Sequence, residues 1–135
     1  MTLLFNSTFE LSLRLLLTLS ISEQALSLDK ILYLDFLATY GLNFELTDEN
    51  LHGNNPYYII ELSVRRSQIQ KALKQLVLQH LVIPEQNKKG FTYLIHSDGK
   101  TLCSQLSSSY AKNYLENAQK IHAFALDKDE VQLLH

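Results

Sequence analysis

The stretch from Thr8 to Leu19 constrains this chain more than any other. Its helical spacing places Phe9, Leu13, Leu16 and Leu17 on one face, and Leu11, Leu15 and Leu19 cover much of the rest. A helix that is apolar nearly all round must be covered on several sides, by the rest of its own chain or by another subunit. Asn6 or Ser7 is placed to cap it. Glu10 and Arg14 interrupt the apolar run, which leaves it too short to span a bilayer. No basic residue precedes Arg14, unlike the start of a secretory signal. Because Glu10 and Arg14 stand four apart, they can pair along one helix face. The expectation is a buried helix of a globular protein.

The rest of the sequence supplies mostly further helices. Only four glycines and two prolines occur in 135 residues, which argues against a many-stranded fold. Ser27 caps a second helix, Leu28 to Tyr40, with Leu28, Ile31, Leu32, Asp35 and Phe36 at helical spacing and Gly41 just past its end. Residues 42 to 56 collect Asp48, Asn50, Gly53, Asn54, Asn55 and Pro56 and read as a loop. Tyr57 to Leu62 is apolar and β-prone. A third helix starts at Ser63 or Arg65 and runs to about Gln79, burying Ile69, Leu73, Leu76 and Val77. Leu81 to Ile83 and Phe91 to Ile95 read as two strands around the polar turn Pro84 to Gly90. A last helical region opens at Asp98-Gly99-Lys100, breaks near Ser107 to Ser109, and carries an apolar stripe of Leu102, Leu106, Tyr110, Tyr114, Ala118 and Ile121. These elements predict one domain over residues 1–126 and a short tail over 127–135. The fold class is mainly α with a small β-hairpin.

The helix with a basic start, then "QLVLQHLV", a basic polar tip, "FTYLI" and "HSDGKTL" resembles the recognition helix, wing and following helix of a winged helix-turn-helix domain, here with extra N- and C-terminal helices. Charge is unevenly spread. Although the whole chain carries −2, the segment from Val64 to Lys89 holds six basic residues against Glu85 alone. Arg65, Arg66, Lys71, Lys74, Lys88 and Lys89 therefore form a candidate surface for DNA phosphates or for an acidic protein. Glu61 lies four residues before Arg65, so an ion pair there would compete with any outward role for that arginine.

Little in the sequence points to catalysis. Gly41, Gly53, Gly90 and Gly99 are isolated and form no phosphate loop. His52 stands alone in the loop, without the partner spacing a metal needs. Ser107-Ser108-Ser109 lacks the context of a nucleophile elbow, and Asp29 and Asp35, six apart, do not share a helix face. Glu45, Asp48 and Glu49 form an acidic loop of the ordinary solvated kind. The single cysteine, Cys103, excludes an intramolecular disulfide and suits the cytosol. The expectation is a non-enzyme in the cytoplasm with no cofactor, metal or small-molecule substrate.

Four segments carry a wider resemblance: "LFNSTFELSLRLLLTL" (4 to 19), "LDKILYLDFLATYG" (28 to 41), "LHGNNPYYIIELSVRRSQIQKALKQL" (51 to 76) and "GFTYLIHSDGKTLCSQLSSSYAKNYLENAQKI" (90 to 121). Together they resemble the middle component of bacterial ABC three-component systems, including Lamassu-type defence systems. The Glu10–Arg14 and Glu61–Arg65–Arg66 spacings are its most characteristic parts. Members tend to carry a second proline where this chain has Gly53-Asn54-Asn55. The resemblance implies an accessory subunit that binds an SMC- or Rad50-like ABC ATPase and helps hold a separate nuclease-like effector in check, with double-stranded DNA as a further partner and no membrane role. Tyr110, Tyr114 and Ile121 of the last helix are the expected partner-docking residues. A stand-alone, dimeric winged-helix transcription regulator is the competing expectation.

Overall fold

The computed structural model describes residues 8–43, 57–88 and 90–125. The caps expected at Asn6 or Ser7, most of the 42 to 56 loop with His52, Lys89 and the 127–135 tail lie outside the described residues. Five helices and three strands are described: α1 (Thr8–Ser20), β1 (Leu26–Ser27), α2 (Leu28–Asn43), α3 (Tyr57–Leu78), β2 (Val82–Asn87), β3 (Gly90–Ile95), α4 (Ser97–Ser104) and α5 (Ser109–Ala125).

The chain itself covers its apolar first helix. α1 packs against α2, α3, α4 and α5 as well as β3, and Leu11, Leu15, Leu16, Leu17 and Leu19 are all buried. Leu11, Leu15, Leu16 and Leu19 join Ile31, Leu34, Ile69, Leu73, Leu76, Val82 and Ile95 in the main core. Leu17 turns to a second cluster with Ala38, Ala111, Tyr114 and Ala118, where α5 closes over α1 and α2. Phe9, expected on the buried face, is instead 74 % exposed. α1 is thus the central helix and offers a partner little beyond its first turn.

Each helix boundary has a local cause. Ser27 Oγ accepts the Lys30 N–H at 3.1 Å and caps α2. α2 then continues through Gly41 to Asn43, three residues beyond the expected end at Tyr40. Glycine is tolerated in a last turn at a cost of about 1 kcal/mol. α3 begins at Tyr57, so the β-prone Tyr57 to Leu62 segment is helical. Strand propensity yields here to tertiary context: Arg65, Ile69, Ala72, Leu73 and Leu76 form one buried helical stripe. α3 ends in a Schellman motif, with Leu81 N–H on Leu76 C=O and His80 N–H on Val77 C=O, both at 3.0 Å. His80 takes the left-handed conformation there (φ 60°) that glycine usually fills. Ser108, within the serine run, caps α5 by accepting the Ala111 N–H at 3.1 Å.

The sheet is larger than a hairpin. β1 adds a third antiparallel strand, giving the order β1-β3-β2, with Leu26 opposite Tyr93 and Ser27 opposite Thr92. Two residues carry no detectable period, so the sequence does not reveal that strand. β2 also runs through Pro84 to Asn87, where a turn was expected. Pro84 is admissible because β2 is an edge strand on one side.

Gly99 permits the close approach of α4 to the root of the hairpin. A Cβ at this position would lie 2.5 Å from the Leu81 carbonyl oxygen and 2.8 Å from Ile95 Cγ1. That carbonyl already accepts the His96 N–H at 2.9 Å, so it is not free to move. Gly99→Ala is expected to destabilise the protein by about 1–3 kcal/mol, as overpacking does. Chemical denaturation would measure it, and an unchanged midpoint would refute the tight packing of α4 on Leu81.

Candidate functional site

Two features stand out: a buried ionic cluster that consumes several of the expected site residues, and a surface groove that Lys74 borders. The cluster centres on Asp35, which is fully buried. The α2 stripe that also buries Ile31 and Leu32 turns Asp35 inward toward Arg14, on the apolar α1. Arg14 donates Nε–H to Asp35 Oδ1 at 3.0 Å and Nη2–H to Oδ2 at 3.1 Å. This is the bidentate geometry that a planar guanidinium favours. Arg65 of α3 donates from Nη1 to Asp35 Oδ2 at 3.3 Å and to Thr39 Oγ1 at 2.6 Å. Its guanidinium also lies 5.2 Å from the Phe36 ring centroid. From α5, Tyr114 donates its hydroxyl to Asp35 Oδ1 at 2.7 Å.

The hydrogen accounting closes. Asp35 receives two bonds on each oxygen, which fills the roughly four acceptor positions of a carboxylate. Burial pushes the Tyr114 phenol well up, with the nearby Asp35 charge adding to the effect. Tyr114 therefore stays protonated and spends its one hydrogen on Asp35. Thr18 must then be the donor in its 2.8 Å bond with Tyr114. Burial disfavours the charged form of Arg14, but attraction and hydrogen bonding from Asp35 outweigh it and raise its pKa. The cluster ties α1, α2, α3 and α5 together and leaves Asp35 no acceptor position for a ligand.

This geometry revises several expectations. Arg14 has Asp35, on a different helix, as a buried partner. Arg65 is 5 % exposed and turned inward, so it is not available to DNA or to an acidic partner. Glu61 does lie 3.5 Å from Arg65 Nη2, but it is 46 % exposed, and such an i, i+4 pair contributes about 0.3–0.5 kcal/mol. Arg66 is held by Asp29 of α2. Tyr114 has no exposed surface and is not a docking residue. Ile121 packs against the main core. Tyr110 is half-buried, its phenol pushed up by burial, with Arg14 acting in the opposite sense. Cys103 is half-buried and its thiol is likewise pushed up by burial.

What remains at the surface is coherent. Lys71, Lys74 and Lys88 are exposed. Among the described residues no carboxylate pairs with any of them. Lys74 borders a groove of about 230 Å³ formed with Gln70, Val77, Leu78, Pro84, Phe91 and Tyr93. The strand register explains it. Val82–Ile95, Pro84–Tyr93 and Gln86–Phe91 are cross-strand pairs on one face of the hairpin. The pair at the root is buried in the core, while Phe91 near the tip is 53 % exposed. The apolar face of the hairpin therefore continues past the end of α3, where no described residue covers Phe91. Leu78, in the last turn of α3, is 63 % exposed. Sequence reasoning found these lysines but missed the groove, whose signal was the alternation of Phe91 and Tyr93 along β3. A second, wider cleft of about 500 Å³ runs between Phe9, Leu13 and Leu16 of α1, Lys71 and Gln75 of α3, and Leu102 of α4.

His122 of α5 predicts a pH dependence. Its Nδ1 is buried and has no hydrogen-bond partner among the described residues. Burial, helped by Lys30, lowers its pKa below the ordinary 6.5. Between the lowered and ordinary values the unfolded chain binds more protons than the folded one, so stability falls as pH drops through that interval. Melting curves at pH 7.5 and pH 5.5 should differ less for His122→Gln than for the parent chain. Equal differences would remove His122 from the pH response.

The described residues include no helix long and apolar enough to cross a membrane. A family model described as ABC-three component (ABC-3C) system Middle Component 2 matches residues 4–135. No curated protein and no solved structure matches the chain.

Proposed function

The chain belongs to that family, the Middle Component 2 of ABC-three component systems, and from this membership we propose that it is a non-catalytic accessory subunit. It binds an SMC- or Rad50-like ABC ATPase and couples the state of that ATPase to a separate, nuclease-like effector, in defence against phage or plasmids of the Lamassu type. The family match over nearly the whole chain is the observation that carries this reading. A non-catalytic role is supported by the Asp35 cluster, whose polar groups are spent on one another.

We further read the core as a winged helix. The order α1, β1, α2, α3, β2, β3, with β1 pairing β3, supports that assignment, with α3 as the recognition helix, β2–β3 as the wing and α4 and α5 as additions. In this frame Lys71 and Lys74 lie on the recognition helix and Lys88 on the wing.

Co-expression of the tagged chain with the ATPase and effector encoded beside it tests the proposal. The accessory-subunit reading requires the ATPase to be retained in a fixed ratio through a salt wash. A clean homodimer that leaves the ATPase behind and shifts a palindromic duplex would instead establish a stand-alone transcription regulator.

A further inference from the structure

We propose that the groove between the end of α3 and the hairpin is a docking site for a partner-protein segment in which one large apolar side chain is flanked by carboxylates. The inference rests on the accessory-subunit reading and adds where, and by what chemistry, a partner is held.

The groove combines two kinds of wall. Val77, Leu78, Pro84, Phe91 and Tyr93 make its floor and sides apolar, and Gln70 and Lys74 supply the polar edge. Exposed aromatic and aliphatic side chains converging on one concavity are the arrangement in which an anchor residue is desolvated and held. On its rim stands Lys74, an exposed cation left over after Arg65 and Arg66 are neutralised, whereas Lys71 borders the second cleft. The neighbouring carboxylate, Glu85, pairs with Thr92 in the ladder, and the two-residue alternation along β2 puts it on the opposite face of the hairpin from Pro84. Among the described residues no carboxylate lines the groove or pairs with Lys74, so its rim is complementary to an acidic segment.

A nucleic-acid backbone fits this face less well. Binding of that kind draws on many phosphate contacts. Here one lysine, Lys74, borders an apolar centre formed by Leu78 and Phe91, which a phosphate would have to leave empty.

The test uses the co-expressed assembly, with Phe91 replaced by the photo-crosslinker p-benzoylphenylalanine and the crosslinked segment read by mass spectrometry. The expected product joins Phe91 to an apolar residue of the ATPase or effector that has aspartate or glutamate within a few positions. In parallel, Phe91→Glu and Leu78→Glu should each weaken retention of that partner roughly 30-fold or more, as loss of an interface anchor does, with no change in melting temperature. Both side chains are already more than half exposed, so neither change should disturb folding. Lys74→Glu should also weaken retention, and reversing the charge of the mapped carboxylate should restore it. A crosslink into a second copy of the chain, into DNA, or into a segment without acidic residues would overturn the proposal. So would a wild-type assembly that survives Phe91→Glu and Leu78→Glu intact. A wild-type chain that retains neither ATPase nor effector would instead defeat the accessory-subunit reading on which the proposal rests.

Discussion

Asp35→Asn is expected to destabilise this protein by about 3–5 kcal/mol, the usual result of removing one member of a buried ion pair, and so to lower the melting temperature by roughly 10–20 °C. Asparagine keeps the shape but brings no charge, and its amide nitrogen would face donors. Arg14 would then be buried without its bidentate partner, and Arg65 would keep Thr39 and the Phe36 ring inside and the half-exposed Glu61 outside. A contrasting variant identifies the cause. Replacing Arg14, Asp35 and Arg65 together with apolar residues of similar volume should recover most of the lost stability, because no unpaired charge remains in the interior. Chemical denaturation of the single and triple variants measures both. A single variant as stable as the parent would mean that Asp35 is not the hub of the core.

Tyr114→Ala is expected to cost a further large amount, about 3–5 kcal/mol, because it removes a wholly buried aromatic side chain. Tyr114→Phe should cost less, about 1–3 kcal/mol, since it keeps the ring and deletes only the hydroxyl that donates to Asp35 and accepts from Thr18. The two changes separate packing from hydrogen bonding. Because Tyr114 and Asp35 share a bond, Tyr114→Phe and Asp35→Asn should be non-additive, and a double-mutant cycle reads that coupling directly. Strict additivity would contradict the shared bond. A Tyr114→Ala chain that folds normally but loses a partner would restore Tyr114 as a docking residue.

The periodic parts of this fold were legible in the residues. Leucine spacing in α1, the Ser27 cap, the two strands around Lys88 and Gly90 and the break at the serine run all follow from local rules, and the structure has them. The buried cluster was legible only in part. Asp35 stood on the apolar stripe of α2, and Arg14 stood in a helix with no polar face. Each was a charge that had to find a partner in the interior. Local spacing offered Glu10 to Arg14 and Glu61 to Arg65, and nothing in a linear pattern ranks a contact 21 residues away above one four residues away. The same limit turned Arg65 and Tyr114 outward in the sequence reading and inward in the fold. β1 escaped for a different reason, since two residues paired with a distant strand leave no period. Lys71, Lys74 and Lys88, by contrast, were placed correctly on the surface.

The central claim is that this chain works as a fixed part of a larger assembly. Native mass spectrometry of the complex recovered through a tag on this chain, co-expressed with the other components of its system, tests that claim most directly. The expected spectrum shows one dominant species whose mass is a whole-number combination of this 15.5 kDa chain and the ATPase, with or without the effector. A spectrum containing only the single chain, or twice its mass, would contradict it.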